Sequence, residues 1–254
     1  MNSFDPEVAP ETAAAASPRL SVVIAVKDEV DNIAPLVAEI DAALAAEPFE
    51  LIFVDDGSTD GTRAALKAAA ATRPYLRIAA HAVSCGKSAG VDTGARMARG
   101  ELLLLLDGDG QNDPAYLPEM IRVIDEGGLA VGLVQGERQG RKDTRFKRFQ
   151  SRLANGVRGA LLNDGTRDTG CGLKVVRRDV HLRLPLFDGL HRFMSALVKR
   201  EGYEIRTVKV VDRPRWHGTS KYGFWNRLWV GIADLVGVWW LVSRRKVQRV
   251  VEQG

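Results

Sequence analysis

Four short, mostly apolar segments in the first half of the chain constrain its fold more than any other sequence feature. They span residues 20–26, 51–54, 76–80 and 102–106. Runs of this length and composition are typical of β-strands that are covered on both faces. Between them, apolar residues at helical spacing predict helices over 33–44, 62–72 and 88–98. This alternation predicts an α/β fold with a doubly wound, mostly parallel sheet and helices on both faces.

The second half of the chain predicts fewer regular elements. In order, they are a transition at 132–140, a basic amphipathic helix at 143–162, a strand at 172–176, a helix at 190–200, a strand at 203–211, a loop at 213–223 and a final helix over roughly 224–250. The sequence contains no internal repeat and no long linker. We therefore expect one domain over 19–223, preceded by a tail at 1–18 and followed by a C-terminal amphipathic helix within 224–254.

Composition narrows the cellular setting. The chain has 254 residues, of which 45% are apolar and 27% charged, which suffices for one buried core. Two distant cysteines form no C-x-x-C pair, and this favours a reducing compartment. Residues 1–18 contain no Lys, no Arg and no apolar run, so they predict a disordered cytosolic tail rather than a signal peptide. No segment reaches the roughly 20 apolar residues of a spanning helix. We expect a cytoplasmic protein that lies peripherally on the cytoplasmic face of the membrane.

Acidic turns follow three of the predicted strands. They contain Asp28 and Glu29, then Asp55 and Asp56, and finally Asp107 and Asp109. In doubly wound sheets, ligands bind beyond the carboxyl ends of the strands. Carboxylates that cluster there repel one another unless a cation lies among them. The pattern therefore predicts a metal–diphosphate site at this edge of the sheet.

The sequence Asp-Gly-Asp-Gly-Gln at 107–111 offers the ligands for such an ion. Asp107, Asp109 and Gln111 supply hard oxygen atoms suited to Mg²⁺ or Mn²⁺, which would bridge two phosphates. A plain turn is the alternative, because Asp and Gly favour turns. A calcium loop of the EF-hand type is excluded, because Asn112 and Pro118 stand where that loop needs Gly and Glu.

The sequence Gly86-Lys87-Ser88 resembles the end of a phosphate-binding P-loop. The full pattern requires a glycine five residues before Gly86, where this chain has His81. The sequence therefore argues against a nucleoside triphosphatase.

Two basic segments suggest anionic ligands. Arg141, Arg145, Arg148 and Arg152 share one face of the predicted helix at 143–162 and the residues just before it. Guanidinium groups bind phosphate with paired hydrogen bonds, although a solvated charged face remains the alternative. The loop at 213–223 is also basic and has the composition of a flap that closes over a diphosphate. A net charge of only +4 argues against nucleic acid as the partner.

Six segments together resemble the family-2 inverting glycosyltransferases, and specifically the dolichol-phosphate mannose synthase branch, whose members act on polyprenyl phosphates. They are SVVIAVKDEVDNI (21–33), LIFVDDGSTDGT (51–62), GELLLLLDGDGQNDP (100–114), SRLAN (151–155), DTGCGLKVVRR (168–178) and RWHGTSKYG (215–223). The resemblance implies a GT-A fold and a nucleotide-sugar donor, with UDP and GDP both open. It also implies a hexosyltransferase, although members of this branch use different donor sugars.

The resemblance also implies roles for individual residues. Asp107, Asp109 and Asp168 would be catalytic, with Asp107, Asp109 and Gln111 around the metal. The donor would contact Val26, Asp28, Glu29, Asp55, Asp56, Lys87, Gly108, Arg215, Ser220 and Lys221. The acceptor phosphate would lie near Arg141, Arg148, Ser151 and Arg152.

The acceptor can be argued from chemistry. A hydroxyl acceptor needs a general base, and processive synthases of the superfamily also carry a Q-x-x-R-W motif that this chain lacks. A phosphate monoester, with a second pKa of about 6, arrives already ionised. These points favour undecaprenyl or dolichyl phosphate. A glycan or protein hydroxyl, with Asp168 as base, is the alternative. A catalytically silent module that binds a nucleotide sugar or another anion is a third hypothesis, which the intact acidic turns oppose.

The C-terminal helix allows two interpretations. It carries Trp225, Trp229, Trp239 and Trp240, and a basic stretch at 244–249 follows it. Aromatic and basic residues of this kind are typical of a helix at a membrane surface. Packing against the sheet is the equally open alternative.

Overall fold

The computed structural model describes residues 17–139, 158–159, 161–162, 164–166, 168–215 and 224–245, with the backbone alone for 224–230. Seven strands in this part of the chain form one sheet: β1 Leu20–Val26, β2 Phe49–Asp55, β3 Leu76–Ala80, β4 Leu102–Leu105, β5 Val131–Arg138, β6 Lys174–Arg177 and β7 Glu204–Val210. Their order is β3-β2-β1-β4-β6-β5-β7, and of these strands β6 alone runs antiparallel to its neighbours. The predicted doubly wound, mostly parallel sheet is confirmed.

Helices cover both faces of this sheet. The described helices are α1 Val30–Ala43, α2 Thr62–Ala71, α3 Lys87–Met97, α4 Leu117–Glu126, α5 Arg178–Leu182, α6 Leu190–Arg200 and α7 Phe224–Ser243. The all-leucine strand β4 shows why both faces are apolar: Leu102 and Leu104 pack in the core layer of α1, α2 and α4. Leu103 and Leu105 point to the other side and join α3, α5 and α6. Alternate residues of a strand point to opposite faces, so a doubly covered strand needs apolar residues throughout.

Helix α3 packs unusually close to β1. A side-chain carbon at Gly94 would overlap Val23, and one at Gly90 would lie 2.6 Å from the Cβ of Ala25. This approach fixes the N-terminus of α3, where Lys87 begins the helix, next to the carboxyl end of β1.

The prediction of an irregular transition over 132–140 is wrong, because residues Val131–Arg138 form the buried strand β5. The two glycines of β5 allow close packing against distant parts of the chain. A Cβ at Gly132 would lie 2.7 Å from Tyr203, and one at Gly136 would lie 2.7 Å from the sulfur of Cys171. Helix α4 was not predicted, although its buried residues Leu117, Met120, Ile121 and Ile124 have helical spacing.

The C-terminal helix docks on α6. Arg192 pairs with Asp234 at 2.6 Å, and the Nε of Arg200 donates to the Leu241 carbonyl at 3.1 Å. Val238 is buried in the core. No helix in the described ranges combines the length and apolar character needed to cross a membrane. Most of the basic helix predicted at 143–162 lies outside the described residues, as do residues 1–16 and 246–254 of the predicted terminal segments.

Candidate active site

A cavity of about 260 Å³ opens at the carboxyl ends of β1, β2 and β4, beside the N-terminus of α3. It is lined by Ala25, Val26, Lys27, Glu29, Asp56, Ser84, Gly86, Lys87, Asp107, Gly108, Asp109 and Arg215. The cavity therefore lies at the edge where a doubly wound sheet binds its ligands.

The structure brings most of the predicted donor-site residues to this cavity. Those that line it are Val26, Glu29, Asp56, Lys87, Gly108 and Arg215, together with Asp107 and Asp109. Asp28 and Asp55 do not line it, and Gln111 lies just beyond Asp109. Ser220, Lys221, Arg141, Arg148, Ser151 and Arg152 lie outside the described residues.

The two carboxylates of the Asp-Gly-Asp motif each contact a cationic side chain. Lys87 Nζ contacts Asp107, and an Arg215 nitrogen lies 2.8 Å from Asp109 Oδ2. Burial raises the pKa of Asp107, but the charge and hydrogen bond of Lys87, together with the charge of Lys174, outweigh burial and lower the pKa overall. Burial and the charge of Asp107 raise the pKa of Asp109, and the Gln111 amide and Arg215 offset only part of this rise. Of the two carboxylates, Asp109 is therefore the one whose ionised form a further cation would stabilise more.

Asp56 organises one wall of the cavity through hydrogen bonds. Its two oxygens accept bonds from His81 Nδ1, Ser84 Oγ and the Cys85 amide, each at 2.7 Å, and from the Gly86 amide at 2.9 Å. Burial raises the pKa of Asp56, but these donors outweigh it and lower the pKa to about 2. The result is a fixed loop over 81–86 that leads into α3.

Asp56, His81 and Cys85 also place their ligand atoms within 4.8 Å of one another, as does no other trio of such residues in the described ranges. The nitrogens of His81 already bond Asp56 and the Thr93 hydroxyl, at 2.7 and 3.0 Å. We therefore interpret this group as a hydrogen-bond network rather than a metal centre.

Asp28 and Asp55 shape the turn beside the cavity. Asp55 is fully buried and accepts bonds from the Ser58 amide at 2.9 Å and from Arg63 at 2.7 Å. Asp28 has a φ of +54° and accepts a bond from the Thr59 amide at 2.8 Å. These acids have partners within the chain, so their clustering does not by itself require a metal, contrary to the argument from sequence.

Asp168 lies on the loop that precedes β6 and does not line the cavity. Its two oxygens accept bonds from Arg138 Nε at 2.6 Å and from Nη2 at 2.7 Å. The bond to Asp168 raises the pKa of Arg138 above its usual value. Both oxygens of this candidate base are therefore engaged by one guanidinium.

Sequence reasoning missed two basic residues near Asp107, the buried Lys174 and the partly buried His191. Lys174 begins β6 and contacts the Cys171 carbonyl, and burial lowers its pKa to about 8. His191 Nδ1 lies 2.8 Å from the Ser88 hydroxyl, and burial, with Lys87 and Lys174 nearby, lowers its pKa to about 3. A lysine inside the apolar run 173–176 was the available signal, because buried lysines are rare without a specific partner.

The lining residues Ala25, Lys27, Ser84 and Gly86 were also missed. Ser84 and Gly86 follow β3, so the rule for strand ends would have found them if it had been applied to the third strand.

Two curated relatives match most of the chain. A dodecaprenyl-phosphate galacturonate synthase from Rhizobium johnstonii is 35% identical over 225 residues, which are 86% of this chain and 66% of the relative. An undecaprenyl-phosphate 4-deoxy-4-formamido-L-arabinose transferase from Edwardsiella ictaluri is 32% identical over 80% of this chain and 63% of its own length. The chain thus spans a little under two thirds of these relatives.

Solved structures show the same fold. A mannosyltransferase from Pyrobaculum calidifontis, in complex with GDP-Man and Mn²⁺, superposes with a TM-score of 0.64 at 22% identity, covering 92% of this chain and 66% of its own. A glucosyl-3-phosphoglycerate synthase from Mycobacterium tuberculosis, in complex with Mn²⁺, UDP and glucosyl-3-phosphoglycerate, superposes at 0.66 and 19% identity, covering 89% and 80%. The fold is therefore GT-A, as predicted. Residues 21–184 match the family model for glycosyl transferase family 2, and the chain belongs to that family.

Proposed function

We propose that this protein transfers a sugar from a nucleoside-diphosphate sugar to the phosphate of a polyprenol such as undecaprenyl or dolichyl phosphate. The observation that carries this proposal is the engagement of both Asp168 oxygens by Arg138. A general base must present a lone pair to the acceptor hydroxyl. A carboxylate held in a two-point bond with arginine is a weak base, whereas an ionised phosphate needs none. The geometry therefore favours a phosphate acceptor over a hydroxyl with Asp168 as base.

The relatives support the same acceptor class, because both are named for transfer to a polyprenyl phosphate. They are named for galacturonate and for a formamido-arabinose rather than for mannose. We therefore propose that the range of transferred sugars includes hexuronates and amino-pentose derivatives as well as hexoses.

The cavity offers cationic and N–H groups to a donor diphosphate that binds together with a divalent ion. Lys87 and Arg215 line it, and the amide groups at the N-terminus of α3 face the same edge. Asp107 and Asp109 offer carboxylate oxygens to Mg²⁺ or Mn²⁺, with Gln111 next to them. Such an ion would offset the charge of the departing diphosphate. The raised pKa of Asp109 agrees with this use.

The proposed reaction is one displacement with inversion at the anomeric carbon. An oxygen of the acceptor phosphate forms the new bond to that carbon. The bond to the donor diphosphate breaks, and the nucleoside diphosphate leaves with the electron pair. Lys87 and Arg215 would stabilise the negative charge that develops on it.

Helix α7 supports a membrane-bound acceptor. Ile232, Val236, Trp239 and Trp240 recur at helical spacing and are 45–56% exposed. Val238 on the opposite side is buried, so the helix both packs on the core and leaves an apolar stripe open. Arg244 and Arg245 follow the stripe and would attract anionic lipids. We infer a peripheral position on the cytoplasmic face of the membrane.

A donor screen tests the proposal. Purified protein, Mn²⁺ and undecaprenyl phosphate are incubated with radiolabelled UDP- and GDP-sugars, and label is counted in the organic phase. Undecaprenol, which lacks the phosphate, is the matched acceptor control. We expect label in the organic phase when the acceptor is undecaprenyl phosphate and none when it is undecaprenol. EDTA or the Asp109→Asn substitution should abolish the label. Label on undecaprenol or on a soluble glycan, but not on the phosphate, would contradict the proposal.

A further inference from the structure

Arg138 joins two parts of the chain that are distant in sequence. It ends β5, and its guanidinium holds the Asp168 carboxylate through Nε and Nη2. Its third nitrogen, Nη1, lies 3.2 Å from Asp212 Oδ2. The three side chains are only 14–22% exposed, so water weakens these bonds little.

Asp212 belongs to a segment, 211–215, that is fixed by contacts near the Asp-Gly-Asp motif. Arg213 makes a two-point bond with Glu39 at 2.9 and 2.6 Å, and its amide donates to the Gln111 carbonyl at 3.0 Å. Arg215 reaches Asp109 at 2.8 Å. The position of this segment thus determines where Arg215 lies relative to the metal-binding motif.

Asp168 belongs to a loop, 168–172, that also approaches this motif. Gly172 approaches Asp107 so closely that a Cβ there would overlap its carboxylate. Gln135 Nε2 donates to the Asp168 carbonyl at 2.9 Å, and Lys174 contacts the Cys171 carbonyl. This loop therefore places its backbone at Gly172 directly beside Asp107.

We propose that Arg138 is a positioning residue that fixes the 168–172 loop and the 211–215 segment in one register around the Asp-Gly-Asp motif. Arginine suits this task because its planar fork presents several N–H groups in fixed directions. Lysine would carry the same charge but present it at a single point. The consequence for transfer, that the loop and the segment must be held together for the reacting groups to align, rests on the proposed function.

The experiment uses the full chain and three variants: Arg138→Lys, Asp168→Asn and Asp212→Asn. Arg77→Lys is the matched control, because Arg77 bonds Glu50 and the Met97 carbonyl, both at 2.8 Å, near the amino ends of the strands. Amide hydrogen exchange is followed in peptides covering 168–173 and 211–215. Initial rates of transfer to undecaprenyl phosphate are normalised to the fraction of protein that binds UDP with Mn²⁺.

We expect each acid variant to increase exchange in the peptide that carries the other acid, by about tenfold for the loss of one charge-assisted bond. Arg138→Lys should increase exchange in both peptides, and Arg77→Lys in neither. We further expect kcat to fall about tenfold with little change in either KM, and the acid substitutions to add little in the Arg138→Lys background.

Two results would overturn the inference. One is unchanged exchange in the 168–173 peptide of Asp212→Asn together with unchanged exchange in the 211–215 peptide of Asp168→Asn. The other is a raised acceptor KM in Arg138→Lys while both acid variants keep wild-type kinetics, because Arg138 would then contact the acceptor itself. If the wild-type protein transfers sugar to no polyprenyl phosphate, the proposed function fails, while hydrogen exchange still decides the role of Arg138.

Discussion

The hydrogen bonds of Asp56 allow a quantitative prediction. A pKa that falls from 3.8 to about 2 on folding corresponds to about 2.5 kcal/mol of stability at neutral pH, at roughly 1.4 kcal/mol per unit. Asp56→Asn removes the charge and leaves one acceptor oxygen for four donors. We therefore expect the free energy of unfolding to fall by about 2 kcal/mol at pH 7.

The sign of the pH dependence provides the sharper test. Because the pKa of Asp56 is lower in the folded protein, its stabilisation is complete above about pH 4 and is lost as the pH falls towards 2. The difference between wild type and Asp56→Asn in urea unfolding should therefore shrink across this range. Asp179→Asn is the control, because Asp179 forms an exposed pair with Arg183. A loss below about 0.5 kcal/mol at pH 7, or a difference that stays constant down to pH 2, would refute the reasoning.

Three further predictions concern packing, the membrane and the acceptor. Gly94→Ala should lower the free energy of unfolding by about 1–3 kcal/mol, because the added methyl group overlaps β1; calorimetry against Gly231→Ala, whose Cβ would meet nothing within 4 Å, checks this. Replacing Trp239 and Trp240 by Ser should reduce sedimentation with anionic liposomes, and salt should weaken wild-type binding. Arg148→Ala and Arg152→Ala should each raise the KM for undecaprenyl phosphate about ten- to hundredfold, while donor hydrolysis without acceptor stays near wild type.

The first half of the fold could be predicted because its physical signals are local. The strands at 20–26 and 76–80 coincide with β1 and β3, since a doubly covered strand is apolar along its whole length. Strand β5 was missed for a non-local reason. Its glycines are explained by Tyr203 and Cys171, which contact them from distant parts of the chain.

Contacts between distant parts of the chain also limited what could be predicted about the site. Acidic residues after strands pointed to the edge of the sheet where the cavity opens, because parallel strands end together. The sequence alone could not show which acids face the cavity and which form hydrogen bonds or ion pairs elsewhere in the chain. Asp56 and Asp55 are neighbours, yet only Asp56 lines the cavity, while Asp55 is buried against Arg63. The partner of Asp168 was likewise invisible, because Arg138 lies 30 residues away on a strand that was not predicted.

The reversed direction of β6 has a consequence for how such a protein can change. Strand β5 ends at Arg138 and β6 begins at Lys174, and both points lie at the edge of the sheet that carries the cavity. The chain therefore leaves the sheet after β5 and re-enters it at β6 on the same edge, at adjacent positions. Under the proposed function, insertions or exchanges there would change residues near the acceptor, while the strands and turns beside the cavity keep their registers. A protein with the proposed function could thus acquire new acceptors while the proposed donor site stays unchanged.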